Sequence, residues 1–172
     1  TAGVTQIGSI RGQAAIACAG PDGSLRIWDG RSALSRGRSN ARDPIVALSV
    51  GRLDDEVSIV TASSAGIEIW DDAGRLREHV NLPADVHRPE DVTIVNTRFF
   101  SGVVFRDGDD IVRMWTHSEC RDLHEAAAPI RAMAVSDFGG TTVAIALVDT
   151  AGSASIWTMH DDQIVQPHIP KK

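Results

Sequence analysis

The stretch AGPDGSLRIWD, residues 19–29, combines a tight turn with a short strand that closes on a tryptophan. An Asp-Gly pair between two apolar runs is a strong sequence signal for a β-hairpin, and Asp22-Gly23 is such a pair. Only 5% of the chain is aromatic, so a tryptophan at a fixed distance from a turn is informative. This stretch therefore predicts two antiparallel strands joined at Asp22-Gly23.

The second strand of this hairpin has two different faces. Successive side chains of a strand point to opposite sides, so Leu25 and Ile27 share one face while Arg26 and Trp28 share the other. The sequence GIEIWD, residues 66–71, repeats this pattern, with two isoleucines opposite its tryptophan. A strand with an aliphatic face and an aromatic face belongs in a sheet that is covered on both sides.

Tryptophan recurs along the chain at an almost constant interval. The intervals are 42, 45 and 42 residues, and an apolar residue precedes each member of the series Trp28, Trp70, Trp115 and Trp157. Six residues before each tryptophan, where the turn is expected, the chain carries Asp22, Ser64, Asp109 and Ala151. Such a period indicates a repeat architecture in which each unit needs neighbours to bury its faces.

Each repeat provides enough sequence for four strands. A short apolar run precedes each hairpin and a more polar segment follows each tryptophan, whereas no segment combines helix caps with a helical period. The sequence therefore predicts an all-β fold built of four-stranded antiparallel blades, in a single domain that covers residues 1–172. The four predicted blades cover residues 4–36, 45–80, 91–125 and 130–168.

These features resemble the WD-repeat family of β-propellers. In that family a strand, a turn and a second strand end on Trp-Asp, as they do here at Asp22-Gly23 and at Trp28-Asp29. The resemblance covers nearly the whole chain, and it implies a propeller of four blades that acts as a protein-interaction module. It also implies that the tryptophans, the turn aspartates and the terminal aspartates are structural repeat positions, namely Trp28, Trp70, Trp115, Trp157, Asp22, Asp109, Asp29 and Asp71.

The blades depart from the family pattern in several places. The family's Gly-His pair is missing from all four blades, and Thr116 and Thr158 replace the terminal aspartate in the last two. The turn aspartate is kept only at Asp22 and Asp109. The hydrogen-bonded network that the family builds from histidine, aspartate, serine and tryptophan is therefore incomplete, and we expect blades held mainly by apolar packing.

Four blades leave the closure of the ring open. Propellers usually have about four to eight blades, and the first and last blades of a partial ring expose apolar faces of the kind that mark association surfaces. Two copies can close head to tail into an eight-bladed ring, another chain or a missing segment can supply the remaining blades, or four blades can close on themselves. We expect a half or partial ring that a second copy or a complementary propeller chain completes, and self-closure is the less favoured arrangement.

Composition argues against several classes of function. The net charge is −6 and no stretch is strongly basic, so we expect no nucleic-acid partner. No apolar run is long enough to cross a bilayer, and Cys18 and Cys120 have no metal-finger spacing, so we expect no membrane partner and no cofactor. We expect a cytoplasmic location. Because the chain begins at Thr1, we also expect it to be a processed or excised piece.

Polar stretches with candidate catalytic or metal-binding residues fit turns and exposed strands better than sites. His160 and the two aspartates after it would diverge, because adjacent residues of a strand point to opposite faces. RDGDD, residues 106–110, faintly resembles a calcium loop but lacks the full ligand series. The acidic residues 54–56 suit a turn. We therefore assign no catalytic, cofactor or metal residues, and regard the insert at 82–91 as a possible partner contact.

The function that this pattern favours is a non-catalytic scaffold whose rim and loops bind a protein or peptide. Two alternatives stay open: an accessory or regulatory domain of a larger enzyme, and a propeller with a catalytic or small-molecule site at its central channel. The channel mouth separates these alternatives. Converging carboxylates or histidines there would favour chemistry, and a broad apolar or charged rim without them would favour binding.

Overall fold

The computed structural model describes residues 3–10, 13–32, 35–41, 43–138, 140–160 and 163–168. Within these ranges the chain forms sixteen strands in four antiparallel sheets and contains no helix. Hence no helix in the described residues is long and apolar enough to cross a membrane. The all-β prediction and the prediction of four-stranded units are both confirmed.

Each sheet is a four-stranded meander in chain order. Sheet 1 comprises β1 (Val4–Ile10), β2 (Gln13–Ala19), β3 (Ser24–Asp29) and β4 (Ser35–Asn40). Sheet 2 comprises β5 (Ile45–Leu53), β6 (Glu56–Ser63), β7 (Gly66–Trp70) and β8 (Leu76–His79). Sheet 3 comprises β9 (Glu90–Asn96), β10 (Ser101–Arg106), β11 (Ile111–Trp115) and β12 (Cys120–Glu125). Sheet 4 comprises β13 (Ile130–Phe138), β14 (Thr142–Asp149), β15 (Ala154–His160) and β16 (Gln163–His168).

The fourth strand of sheet 1 lies further along the chain than the sequence pattern indicates. The pattern ends the first blade at residue 36, whereas β4 runs from Ser35 to Asn40. Its sequence, SRGRSN, has no apolar alternation, so hydrophobic periodicity carries no information about where this strand begins or ends.

Apolar clusters fill the spaces between successive sheets. The first cluster joins sheets 1 and 2 through residues such as Ala17, Ile27 and Trp70. The second joins sheets 2 and 3 and includes Trp115, and the third joins sheets 3 and 4 with Trp157 packed against it. Among the described residues, no such cluster joins sheet 4 back to sheet 1.

The tryptophans set the direction in which the sheets stack. Trp70 packs into the cluster shared with sheet 1, and Trp115 packs into the cluster shared with sheet 2. Trp157 likewise faces sheet 3. Each of these indoles therefore lies on the face that meets the preceding sheet. Trp28, on the corresponding face of sheet 1, is half-buried, and no preceding sheet packs on it among the described residues.

The turns between second and third strands explain the residues that recur there. Gly23, Asp110 and Gly152 stand five residues before their tryptophans and have φ angles of 77°, 61° and 82°. This left-handed region is open to glycine and is tolerated by aspartate. A glycine or an aspartate at this position therefore allows the chain to reverse between the two strands.

Candidate protein-binding surface

The four tryptophans of the repeat differ in how completely they are covered. Trp70 is 2% exposed, and its indole N–H donates to Thr61 Oγ1 over 2.9 Å. Trp115 is also buried, whereas Trp157 is half-buried and donates to Ser155 of its own strand. The indoles between sheets 1, 2 and 3 are therefore enclosed, while Trp157 borders open space.

The two terminal aspartates stabilise the turns that follow their tryptophans. Asp29 Oδ1 accepts hydrogen bonds from the amides of Arg31 and Ser32, each over 2.9 Å. Asp71 Oδ1 accepts in the same way from the amides of Ala73 and Arg75. Both carboxylates satisfy turn amides that would otherwise need water, which is a structural role for this position.

The two turn aspartates lie in different environments. Asp22 Oδ1 accepts the Ser24 amide over 3.1 Å, and hydrogen bonds from Ser24 hold the pKa of Asp22 below its usual value. Asp109 is exposed, and its side chain lies 4.0 Å from His87. The corresponding turn of sheet 3 is stabilised instead by Asp107, whose Oδ1 accepts the amides of Asp109 and Ile111.

Asp107 also belongs to an ion-pair network around the buried Arg113 that the tryptophan spacing did not indicate. Arg113 is buried between sheets 2 and 3, and its guanidinium contacts Asp107, Asp85 and Asp122 at 2.8, 2.9 and 2.7 Å. Burial acts to lower the pKa of Arg113, but the hydrogen bonds to Asp107 and Asp85 outweigh it and raise that pKa. The Arg113 bond in turn lowers the pKa of Asp85.

This network anchors the insert that sequence analysis regarded as a possible partner contact. Asp85 lies within residues 82–91, and its link to Arg113 ties the insert to β11 of sheet 3. A sequence signal existed, because Asp107 and Asp149 both stand eight residues before a tryptophan and both accept turn amides. In the first two blades no aspartate stands eight residues before the tryptophan, so the repeat pattern did not reveal this position.

A second ion-pair cluster lies beside the insert. Arg106 contacts Glu90, Asp91 and Asp110 at 2.8, 2.9 and 3.2 Å, and Asp110 also accepts the amide of Ile130. Burial acts to lower the pKa of Arg106, but its bonds to these carboxylates raise it overall. The stretch 106–110, with its faint likeness to a calcium loop, is therefore a turn in which Asp107 and Asp110 are paired with arginine and Asp109 lies near His87.

Both clusters lie at one end of the sheets, here called the connection end. It consists of the described segments that join successive sheets and of the turns between second and third strands: residues 41, 43–44, 80–89 and 126–129, with 20–23, 64–65, 107–110 and 150–153. Backbone hydrogen bonds join the two kinds of segment, as from the Ala126 amide to Asp110 and from the Thr150 amide to Pro129. The connection end is therefore a cross-linked surface.

Two clefts open at the connection end. The first, of about 240 Å³, lies between the turn of sheet 2 and the anchored insert, and its lining includes Gly66, Leu82 and Val86. The second, of about 330 Å³, lies between sheets 3 and 4 and is lined mainly by apolar groups, with Ile130, Leu147 and Trp157 among them. His124 stacks on Trp157 with ring centroids 4.2 Å apart, so one wall of this cleft is aromatic.

The central channel is lined by the first strands of all four sheets. A cleft of about 240 Å³ there has a lining that includes Gln6, Leu48, Thr93 and Met133. The one carboxylate of the lining, Asp91, is paired with Arg106. The polar side chains at this site thus do not form a constellation of acid, base and nucleophile.

The described part of the chain contains no cluster of histidine, cysteine and acidic residues that could hold a metal ion. His160 Nδ1 lies 3.1 Å from Thr142 Oγ1, and the two aspartates that follow it fall outside the described residues. At the end opposite the connection end, His117 contacts Asp54 of sheet 2 and lies 3.8 Å from Glu78. These contacts cross-link sheets 2 and 3.

Comparison with solved structures defines the class of this fold. One similar structure is BBS1N in complex with ARL6DN, soaked with mercury, with 14% identity and a TM-score of 0.69 over 94% of this chain and 51% of that chain. The lead-soaked form of that complex has 14% identity and a TM-score of 0.67, over 94% of this chain and 52% of that chain. The WD40 domain of SCAP from fission yeast gives 14% identity and a TM-score of 0.70, over 97% of this chain and 44% of that chain.

The fold is that of a β-propeller, and the chain spans about half the length of these solved structures. No protein-family model and no curated protein sequence matches the chain. At 14% identity the structural likeness defines the fold and leaves activity and partners to be argued from the chain's own residues.

Proposed function

We propose that this chain is a non-catalytic propeller module of the WD-repeat type that binds a protein or peptide at its connection end. The observation that carries the proposal is the pair of clefts at this one end, each walled by turns and connections of rigid sheets. Propeller domains of similar fold include one solved in complex with a protein, which supports a protein partner here.

The shape of the surface suits an extended segment with apolar side chains. The cleft between sheets 3 and 4 is lined mainly by apolar groups such as Leu147 and Trp157, whereas the cleft beside the insert exposes mainly polar groups around Leu82 and Val86. Apolar clefts with a few polar groups at the rim are typical of sites that hold a ligand side chain. The Asp107–Arg113 pair lies in the sheet between them, so a bound segment that reached both clefts would cross sheet 3.

The charge of the surface suits a segment with lysine or arginine. The ion-pair clusters of this end bring Arg88, Arg106 and Arg113 together with six carboxylates: Asp85, Asp107, Asp122, Glu90, Asp91 and Asp110. Asp109 and Asp149 add further acid at the same end. Electrostatic complementarity raises association rates and selects partners, so the acidic excess favours a cationic partner.

Selection from a random peptide library displayed on phage tests this proposal. Peptides that combine apolar side chains with lysine or arginine are expected, and Asp109→Arg should weaken their binding because it reverses a charge at the connection end. Glu119→Arg is the matched control, since Glu119 is exposed on the opposite end of the same sheet. Equal loss in both variants, or selection of peptides without basic residues, contradicts the proposal.

Removal of the anchor provides a second test. Asp85→Ala breaks the link between the insert and Arg113, so amide hydrogen exchange in residues 82–89 should rise and peptide affinity should fall. Asp122→Ala removes a different exposed partner of Arg113 and leaves the insert tied, which makes it the control. Unchanged exchange in Asp85→Ala would show that the insert is not held by this contact.

Catalysis at the central channel is a weaker proposal. The single lining carboxylate is already paired with Arg106, and most of the other lining groups are apolar or neutral. An accessory role in a larger enzyme is compatible with the chain spanning about half of its structural neighbours. We further propose that a second copy or a complementary propeller chain completes the ring, and a cytoplasmic location stays a prediction.

A further inference from the structure

The open side of sheet 1 carries Trp28, the indole that no sheet covers among the described residues. The register places Ile7 beside Ile16 and Ile16 beside Trp28, and it places Cys18 beside Arg26. Their neighbours in the same strands, such as Ala17 and Ile27, are buried against sheet 2, so these five side chains point the other way. Ile7 is 71% exposed. This surface, comprising Ile7, Ile16, Cys18, Arg26 and Trp28, is called the indole face.

The open side of sheet 4 carries a row of small and aliphatic residues, with Ser136 and Thr158 beside Ala144. The register places Ala134 beside Ala146 and Ala146 beside Ile156, while Ile145 and Met159 of the same strands are buried against sheet 3. Ile156 is 40% exposed. This surface, comprising Ala134, Ala144, Ala146, Val148, Ala154 and Ile156, is called the alanine face.

The alanine face is equivalent to the surface on which a buried indole of this chain already packs. Ala144 and Ala146 stand 13 and 11 residues before Trp157, as Ala15 and Ala17 stand before Trp28. Ile156 and Ile27 both directly precede the tryptophan of their own sheet. Sheet 1 uses Ala15, Ala17 and Ile27 to receive Trp70 of sheet 2. Sheet 4 thus carries alanines and an isoleucine at the equivalent positions. Among the described residues, no indole packs against them.

The indole face is likewise equivalent to the tryptophan-bearing faces of sheets 2 and 4, each of which packs against the preceding sheet. In sheet 2, Trp70 pairs with Ile59, and in sheet 4, Trp157 pairs with Ile145, as Trp28 pairs with Ile16 in sheet 1. In the two later sheets these residues belong to clusters between sheets. One end of the chain therefore carries the inserting half of an intersheet contact, and the other end carries the receiving half.

We propose that a second copy of this chain covers both open faces, with Trp28 of each copy seated on the alanine face of the other. The contact between the sheets is head to tail, and a two-fold axis generates it twice, which closes eight sheets into one ring. This inference rests on the proposed completion of the ring. A second copy is the proposed occupant of both faces because the chain already uses the same pairing between sheets 1 and 2.

Light scattering coupled to size exclusion gives the primary test. The wild-type chain, of 18.4 kDa, should elute with twice that mass. Trp28→Glu and Ala146→Glu should each abolish the dimer while far-UV circular dichroism stays that of the β fold. Phe99→Glu is the control, because Phe99 is 54% exposed in the turn after β9 and lies on neither face. A monomeric wild-type chain overturns the proposal.

Mixing the two variants tests the head-to-tail pairing. The intact alanine face of Trp28→Glu can receive the intact indole face of Ala146→Glu, so an equimolar mixture should regain a dimer with one repaired contact. If Trp28→Glu alone dissociates and Ala146→Glu does not, the indole faces pair with each other and the proposal is wrong. Failure of the mixture to associate also contradicts it.

Thiol labelling of the folded chain covers the case in which a substitution prevents folding. Cys18 lies on the indole face, and Cys120→Ala leaves it as the one thiol. Its labelling by a disulfide reagent should slow as protein concentration rises, because dimerisation covers it. A rate that does not depend on concentration overturns the second copy. Peptide binding at the connection end is independent of this outcome, so failure of either proposal is recognised separately.

Discussion

Phe105 is the largest side chain that the structure buries completely. It belongs to β10 and packs in the cluster between sheets 2 and 3, where it faces the same space as Trp115. Truncation of such a side chain removes apolar contacts and leaves a cavity that a close-packed interior fills only in part.

Phe105→Ala should therefore lower the free energy of unfolding by about 3–5 kcal/mol. Phe99→Ala is the matched control, since Phe99 is 54% exposed and its truncation should change stability by less than about 0.5 kcal/mol. Urea denaturation of both variants at one protein concentration makes the measurement. Similar losses in the two variants would contradict the intersheet position of Phe105.

Cys120 should react slowly as a nucleophile. Burial raises the pKa of its thiol from 9.0 to about 11, so at pH 8 the thiolate is about a hundred-fold rarer than in an ordinary cysteine. The same shift lowers stability as the pH rises past 9.0, because the unfolded chain then loses a proton that the folded chain keeps.

Alkylation of Cys120 by iodoacetamide in the Cys18→Ala variant measures this shift. The rate at pH 8 should be about a hundred-fold below that of the same variant unfolded in urea, and it should climb as the pH approaches 11. Equal rates in the folded and unfolded chain would show that the thiol is not held in the neutral form.

At the residue scale, the sequence predicted positions that repeat and missed those that do not. The strand face of Trp70 follows from alternation alone, and the structure confirms it. Among the described residues the network of Arg113 with Asp107 and Asp85 has no counterpart in another sheet, and Asp85 lies 28 residues from its partner. Spacing shows which residues recur, and it carries no information about a pairing that a loop makes across space.

Among the elements, the innermost strands of neighbouring sheets carry glycines that face side chains of the next sheet, as Gly8 faces Val50 and Gly51 faces Ile94. A Cβ added at Gly8 of β1 would lie 2.7 Å from Cβ of Val50 in β5, which is closer than side-chain atoms pack. Gly8→Ala should therefore separate the two strands at a cost of about 1–3 kcal/mol.

Thermal and urea unfolding of Gly8→Ala test this close approach. Gly108→Ala is the control, because Gly108 is exposed in a turn and an added Cβ would lie 3.4 Å from Arg88 Cβ, an ordinary contact. If Gly8→Ala is as stable as Gly108→Ala, sheets 1 and 2 are not packed as closely as the structure has them.

Strand order could be predicted because each unit repeats the same succession of apolar and polar segments. The outer strands are harder to place, as β4 shows, since a strand with one exposed edge needs no apolar alternation. The anchored insert at 82–91 was recognised as an insert, but its attachment to β11 depends on Arg113 and follows only from the fold.

For the whole molecule, repeat count alone leaves closure undetermined. Composition and period are the same for a half ring and for a small closed ring, so the sequence kept three arrangements open. The structure adds the direction of stacking, because Trp70, Trp115 and Trp157 all face the preceding sheet. That direction gives the two open faces opposite characters, and it is the basis of the proposal that one copy completes another.

Nuclear Overhauser contacts of the Trp70 indole test the central claim most directly. The claim is that each indole packs on the aliphatic face of the preceding sheet. In a methyl-labelled sample, the Trp70 ring protons should show contacts to methyl groups of Ala17 and Ile27 in sheet 1. Contacts to Val103 of sheet 3 instead, or to neither sheet, would contradict the stacking direction and the ring that follows from it.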